Sequence, residues 1–263
     1  MTNDQRPTSA FAGGALIGAL GGLIGLGGAE FRLPLLIGVF RFGPLEAIIL
    51  NKAMSLIVVA AALVFRAKHV PLDLVSANIG VAVNLLAGSL LGAWCGASWA
   101  TRMHARTLYR LIAVLLVGIA VVLLIGHASL HAASPALTGI QLWIAGAIAG
   151  FGIGAVASLM GVAGGELLIP TLVLLFGLDI KLAGSLSLLV SLPTMLVGFA
   201  RYSRDQSFVV LRRNRAFVVF MGAGSIIGAL IGGLLLGIVS GPVLYPLLAL
   251  VLLLSAIKVW RHE

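Results

Sequence analysis

One stretch restricts the fold more than any other, because the chain contains it twice. The first copy is Gly25-Leu-Gly-Gly-Ala-Glu-Phe-Arg-Leu-Pro34 and the second is Gly161-Val-Ala-Gly-Gly-Glu-Leu-Leu-Ile-Pro170. Each lies inside a long apolar segment. Glycine costs a helix about 1 kcal/mol relative to alanine, and proline about 3 kcal/mol. Glycines, an acid and a proline packed this closely predict a broken helix in each segment. In hydrocarbon, an unwound backbone persists only where it is buried in protein or lines a cavity. A fault would not be duplicated, so the breaks are read as functional, with Gly25, Pro34, Gly161 and Pro170 bounding them.

Apolar runs of the length that crosses a bilayer recur along the entire chain. Of 263 residues, 60% are hydrophobic and 10% charged, against about 25% charged in a soluble domain. The composition predicts an all-α, polytopic helical membrane protein whose partner is the lipid bilayer. The net charge of +9 does not mark a nucleic-acid binder. The basic residues sit mostly in short loops between apolar runs, as the positive-inside bias requires. The single cysteine, Cys95, has no internal disulfide partner and reads as a small packing residue. No metal-ligand spacing and no cofactor motif appear. The polar start reads as a cytoplasmic tail over residues 1–10 rather than a cleaved signal.

The two broken segments begin two copies of one unit. The first repeat covers residues 11–127, a linker 128–137, and the second repeat 138–263. An offset of 136 residues aligns them without a gap, pairing Gly14 with Gly150, Gly28 with Gly164, Glu30 with Glu166, Pro34 with Pro170, Ser55 with Ser191, and Gly88-Ser89 with Gly224-Ser225. Duplicated halves are a common architecture of secondary transporters. Loop charge bears on their orientation. If each broken segment crosses once, the halves are parallel, and Arg41, Arg102, Arg106, Arg110 and Lys181 lie opposite the termini. If each is a re-entrant hairpin followed by three spans, the halves are inverted, and only Arg66, Lys68 and Lys181 lie there. The positive-inside rule favours inversion, with both termini cytoplasmic. Hairpin arms of about 15 and 10 residues, at 1.5 Å per residue, are short for a full crossing.

Four ionisable residues fall at membrane depth: Glu30, Arg32, Lys52 and Glu166. Such residues mark a substrate or ion pathway by default. The competing reading is a structural ion pair, such as Glu30 with Lys52, and Arg32 has the further option of snorkelling to the interface. Both acids follow paired glycines, Gly27-Gly28 and Gly164-Gly165, where unwound amides and a helix start favour an anion. Arg32 and Lys52 correspond to Leu168 and Leu188, so the cationic part of the site comes from the first half. Glu30 or Glu166 is then available to carry protons, or simply to cap the amides. The run after each break has a polar stripe, Asn51 with Ser55 and Ser187 with Ser191 and Thr194, on one helix face. That stripe serves pore lining or helix–helix hydrogen bonding. Gly88, Gly92 and Gly96, with Gly224, Gly228 and Gly232, form small-residue packing faces.

Two homologous halves, each opening on such a glycine-rich segment, resemble the sulfite exporter TauE/SafE family of membrane transporters. The residues that carry the resemblance are Gly14, Gly18, Gly25, Gly27, Gly28 and Pro34, with Gly150, Gly154, Gly161, Gly164, Gly165 and Pro170. The second copy departs from the first at Ala163, which replaces Gly27, and at Gly165, which replaces Ala29. The resemblance implies a transporter, not an enzyme, that exports sulfite or an organosulfonate across the bacterial inner membrane. The residues alone support a small anionic substrate and a cationic site. They weigh against a passive channel, which needs a longer polar path. They also weigh against an intramembrane enzyme, which needs a Ser/His, Asp/Asp or metal set, and a scaffold, which needs no duplicated breaks with buried charge. Oligomeric state, coupling ion and direction are left open.

Overall fold

The computed structural model describes residues 7–24, 28–66, 76–129, 137–234 and 241–261. Among these residues the protein is all-helical. The first half comprises α1 (Pro7–Ile24), α2 (Ala29–Gly38), α3 (Pro44–Arg66), α4 (Ile79–Ala100) and α5 (Ala105–Ser129). The second comprises α6 (Gly139–Met160), α7 (Gly165–Phe176), α8 (Ile180–Tyr202), the short α9 (Val209–Arg213), α10 (Arg215–Leu234) and α11 (Gly241–Trp260). Moving α3 along by the 136-residue offset lands on α8 end for end, and the start of α2 lands on that of α7. α1 begins at Pro7, inside the polar lead-in. Five helices among the described residues are long and apolar enough to cross a membrane, and this is a polytopic membrane protein.

Glycine chemistry decides where the long segments turn. α6 ends at Gly161, held at φ +68°, and α7 starts after Gly164, held at φ +81°. α2 likewise starts after Gly28, at φ +70°. An L side chain is disfavoured in this left-handed region. Gly25 and Gly27 lie outside the described residues. Pro34 and Pro170 sit inside α2 and α7. Each is five residues past its helix start, where a proline removes the hydrogen bond to the carbonyl four residues back, that of Glu30 or Glu166.

Both broken segments fold back on themselves. Gly13, early in α1, lies against Leu35 and Phe40 at the far end of α2. Gly146, early in α6, lies against Phe176 at the end of α7. The arms are longer than the sequence suggested: α6 has 22 residues, enough to cross a bilayer alone, yet Gly161 turns it back.

The two halves are interleaved. α1 packs along α10, and α6 along α4. Gly14 and Gly18 meet the backbone of Met221 and Ser225, while Gly88, Gly92 and Gly96 meet that of Ala147, Phe151 and Ala155. At these crossings an added methyl would collide with main chain, so the small-residue stripes join one half to the first helix of the other. Register along other pairs sets the helix directions. Ser89 pairs with Thr194 and Ser98 with Arg201, so α4 and α8 run the same way. Arg110 near the start of α5 lies over Trp260 at the end of α11, so those two run oppositely.

Candidate functional site

The breaks converge on α3. Asn51 is fully buried there and its side-chain amide reaches both halves. Nδ2 donates to Ala29 O at 2.9 Å, the first residue of α2, and to Met160 O at 3.1 Å, the last of α6. Gly161 abuts the α3 backbone at Ile48, so nothing larger fits. One asparagine thus satisfies a carbonyl left open at the end of α6 and ties it to the first turn of α2. In an apolar interior the open carbonyl of Met160 would otherwise cost about 1–3 kcal/mol.

Arg32 is fully buried, so it does not snorkel. Its Nη1 donates to Ser55 Oγ at 3.2 Å and Asn51 Oδ1 at 3.4 Å. Its Nε and Nη2 have no acceptor among the described residues. These two N–H groups form the side edge of the guanidinium, which matches two oxygens of one oxyanion. The two neutral partners hold the group in place without neutralising it.

Lys52 is also fully buried but serves another contact. Its Nζ donates to Ser158 Oγ at 3.3 Å and Ala157 O at 3.4 Å, in the last turn of α6. A cation suits the carbonyl end of a helix. The Glu30–Lys52 ion pair does not form, and neither carboxyl oxygen of Glu30 has a hydrogen-bond donor among the described residues. Glu166 is likewise buried, with no donor to either oxygen among those residues. Glu30 and Glu166 interact with each other across the two hairpins.

The second polar stripe is used differently. Thr194 Oγ1 lies 2.7 Å from Ser89 Oγ, tying α8 to α4. Ser187 Oγ donates to Gly184 O of its own helix. Ser191 Oγ is buried without a partner among the described residues. The asymmetry has a simple origin: Ser55 is engaged by Arg32, whereas Ser191, its counterpart, has Leu168 at the matching position.

A family model described as "Sulfite exporter TauE/SafE" matches residues 10–259, nearly the entire chain. The chain belongs to the sulfite exporter TauE/SafE family. No curated protein and no solved structure matches it. As a TauE/SafE member it is a membrane transport protein of the sulfite and small-anion type.

Two residues of this buried cluster escaped sequence reasoning. Tyr202 is fully buried at the end of α8, and its hydroxyl donates to Ser158 O at 2.9 Å. Ser158 itself receives Lys52. Tyr202 lies next to Arg201 and a basic loop, so it reads as an interfacial aromatic. Its counterpart under the offset is Arg66, so repeat comparison does not reveal it. Ser158 sits three residues before Gly161, and that spacing from a helix break was the available signal.

Proposed function

We propose that the protein is a secondary transporter, working as an exporter, for a small oxyanion such as sulfite or an organosulfonate. The observation that carries this reading is the unoccupied side edge of Arg32, two parallel donors buried beside the convergence of both breaks. Unmade hydrogen bonds of a buried cation are expensive. An oxyanion with two oxygens on one centre repairs both at once. Tetrahedral and pyramidal sulfur oxyanions have that shape, and a halide does not.

Arg32 has no contact with solvent, so the anion reaches it only if surrounding elements move. The elements we assign to that movement are the hairpins α1–α2 and α6–α7, each turning on a left-handed glycine. We read them as re-entrant hairpins of inverted repeats. Alternating access is rocking of one hairpin against α3 and then of the other. The folded-back arms and the opposed directions of α5 and α11 support this reading. Membership of the family supports the substrate class.

Thermal-shift and isothermal titration on purified protein test the site. Sulfite and methanesulfonate should stabilise the parent protein, and chloride should not. Arg32→Met should weaken oxyanion binding about 30-fold or more, because deleting one partner of a buried charged contact costs about 2–5 kcal/mol. Arg32→Lys should recover little, since an ammonium lacks the two-pronged edge. Oxyanion binding by Arg32→Met at parental affinity would defeat the proposal.

A further inference from the structure

We propose that Glu30 and Glu166 form a single proton site, a carboxyl pair across the two hairpins that shares one proton and couples anion movement to proton movement. The acids occupy equivalent places in the two halves, one residue inside the start of α2 and two residues past Gly164 at the start of α7. Both are buried, with exposures of 0% and 4%, and none of their four oxygens has a hydrogen-bond donor among the described residues. Each acid is the other's neighbour, and Arg32 lies near Glu30.

Two ionised carboxylates brought together away from water repel each other, and Arg32 offsets only one of the two charges. A carboxylate is only an acceptor, whereas a protonated carboxyl donates one O–H. One proton placed between the two therefore converts a repulsive contact into a hydrogen bond. It leaves one negative charge on the pair.

The charged groups around the pair define what happens next. α1 and α6 carry no charged side chain. α2 brings Arg32, which attracts Glu30. α3 brings Lys52, turned to the end of α6, and Glu46, whose Oε2 accepts from Gly43 N at the far end of the helix. α11 brings Lys258, which lies at Gly38 beyond the last turn of α2. α5 brings Arg106, Tyr109 and Arg110 near its first turns, and α8 brings Arg201, bonded to Ser98, and Tyr202, bonded to Ser158. Arg32 is thus the cation placed to balance the remaining charge. An oxyanion arriving on Arg32 takes that compensation. A second proton, drawn from whichever aqueous side the site then faces, restores neutrality by forming a second O–H, and it leaves when the anion leaves. The coupling rests on the anion reading above; the shared proton does not.

Two measurements separate those parts. Infrared spectra of the purified protein at neutral pH should show the C=O stretch of a buried protonated carboxyl. Glu30→Gln and Glu166→Gln should each abolish the whole band, because the new amide supplies the donor that the shared proton supplied. No such band in the parent protein would overturn the pair, and so would a band that each variant merely halves. If one variant fails to fold, as judged by size exclusion, the other decides. In proteoliposomes containing a pH-sensitive dye, labelled methanesulfonate stays fully ionised over the working pH range, so any proton movement belongs to the protein. The parent should move protons with the anion, and the proton-to-anion ratio should fall in both variants. A parent protein that carries methanesulfonate without protons would overturn the coupling. Failure to carry methanesulfonate at all would instead count against the anion reading, and the infrared result would still decide the pair.

Discussion

Arg32 and Lys52 are both cationic and fully buried, but their surroundings assign them different work. Arg32 keeps two donors unspent, whereas Lys52 spends its ammonium on Ser158 Oγ and Ala157 O. Neither acceptor is an anion. A buried charge with only neutral partners contributes little to stability, and an apolar side chain of similar volume often serves as well or better. Lys52→Met should therefore unfold no earlier than the parent protein in a thermal melt. Its transport in proteoliposomes should slow, since these two hydrogen bonds tie the α6 tip to α3. Tyr202→Phe should behave in the opposite way. It removes an uncharged donor to Ser158 O, and it should cost about 1 kcal/mol of stability, read as an earlier melt. A lower melting point for Lys52→Met than for Tyr202→Phe would contradict this division.

The hairpins depend on backbone rather than side-chain chemistry. Gly161 combines a left-handed φ of +68° with the carbonyl of Ile48 where a Cβ would go. Gly161→Ala pays about 1–2 kcal/mol for the conformation alone, plus displacement of α6 from α3. Gly118, in the middle of α5, is the control, because nothing lies within 4 Å of its Cβ position. Gly118→Ala should be neutral or raise stability by up to about 1 kcal/mol. Melting curves of the two variants in one detergent should diverge in sign. Equal effects would mean that the break at Gly161 is not a tight contact. The small-residue stripes work by the same rule: Gly88, Gly92 and Gly96 let α4 touch the main chain of α6, which brings the second hairpin beside the first half.

Charge distribution tests the arrangement of the complete protein in its bilayer. The contacts gather the start of α1, the α2–α3 turn, the end of α4, the start of α5, the end of α8 and the end of α11 at one end of the bundle. Phe40 and Phe42 pack on Phe217, Gly38 on Lys258, and Arg110 on Trp260. That end carries Arg41, Arg102, Arg106, Arg201 and Arg204, and the positive-inside rule predicts that it faces the cytoplasm. Single cysteines in a Cys95→Ala background should follow suit. Positions 41 and 106 should resist a membrane-impermeant thiol reagent in intact cells, while positions 68 and 181 should react. Position 68 lies outside the described residues, so its labelling extends the structure as well as testing it. External labelling at 41 with protection at 181 would defeat the inverted arrangement.

Membrane class, the two breaks, the 136-residue register and the four buried ionisable residues were all legible in the amino-acid sequence, because each is a local or periodic property. Hydrophobic run length, glycine and proline cost, and a repeated Glu need no knowledge of partners. Charge counting even favoured a hairpin over a single crossing. What only the tertiary structure decided is which groups meet. Asn51 looked like one member of a polar stripe, and it proves to bridge Ala29 and Met160, residues far apart in the chain. Lys52 looked equivalent to Arg32, and it turns instead to the last turn of α6, a helix of the other half. Thr194 went to helix packing against Ser89. Tyr202 carried no signal at all, since burial of a terminal aromatic depends on where a second hairpin lands. Side-chain partnership follows from the docking of elements across the two halves, and no local pattern encodes that docking.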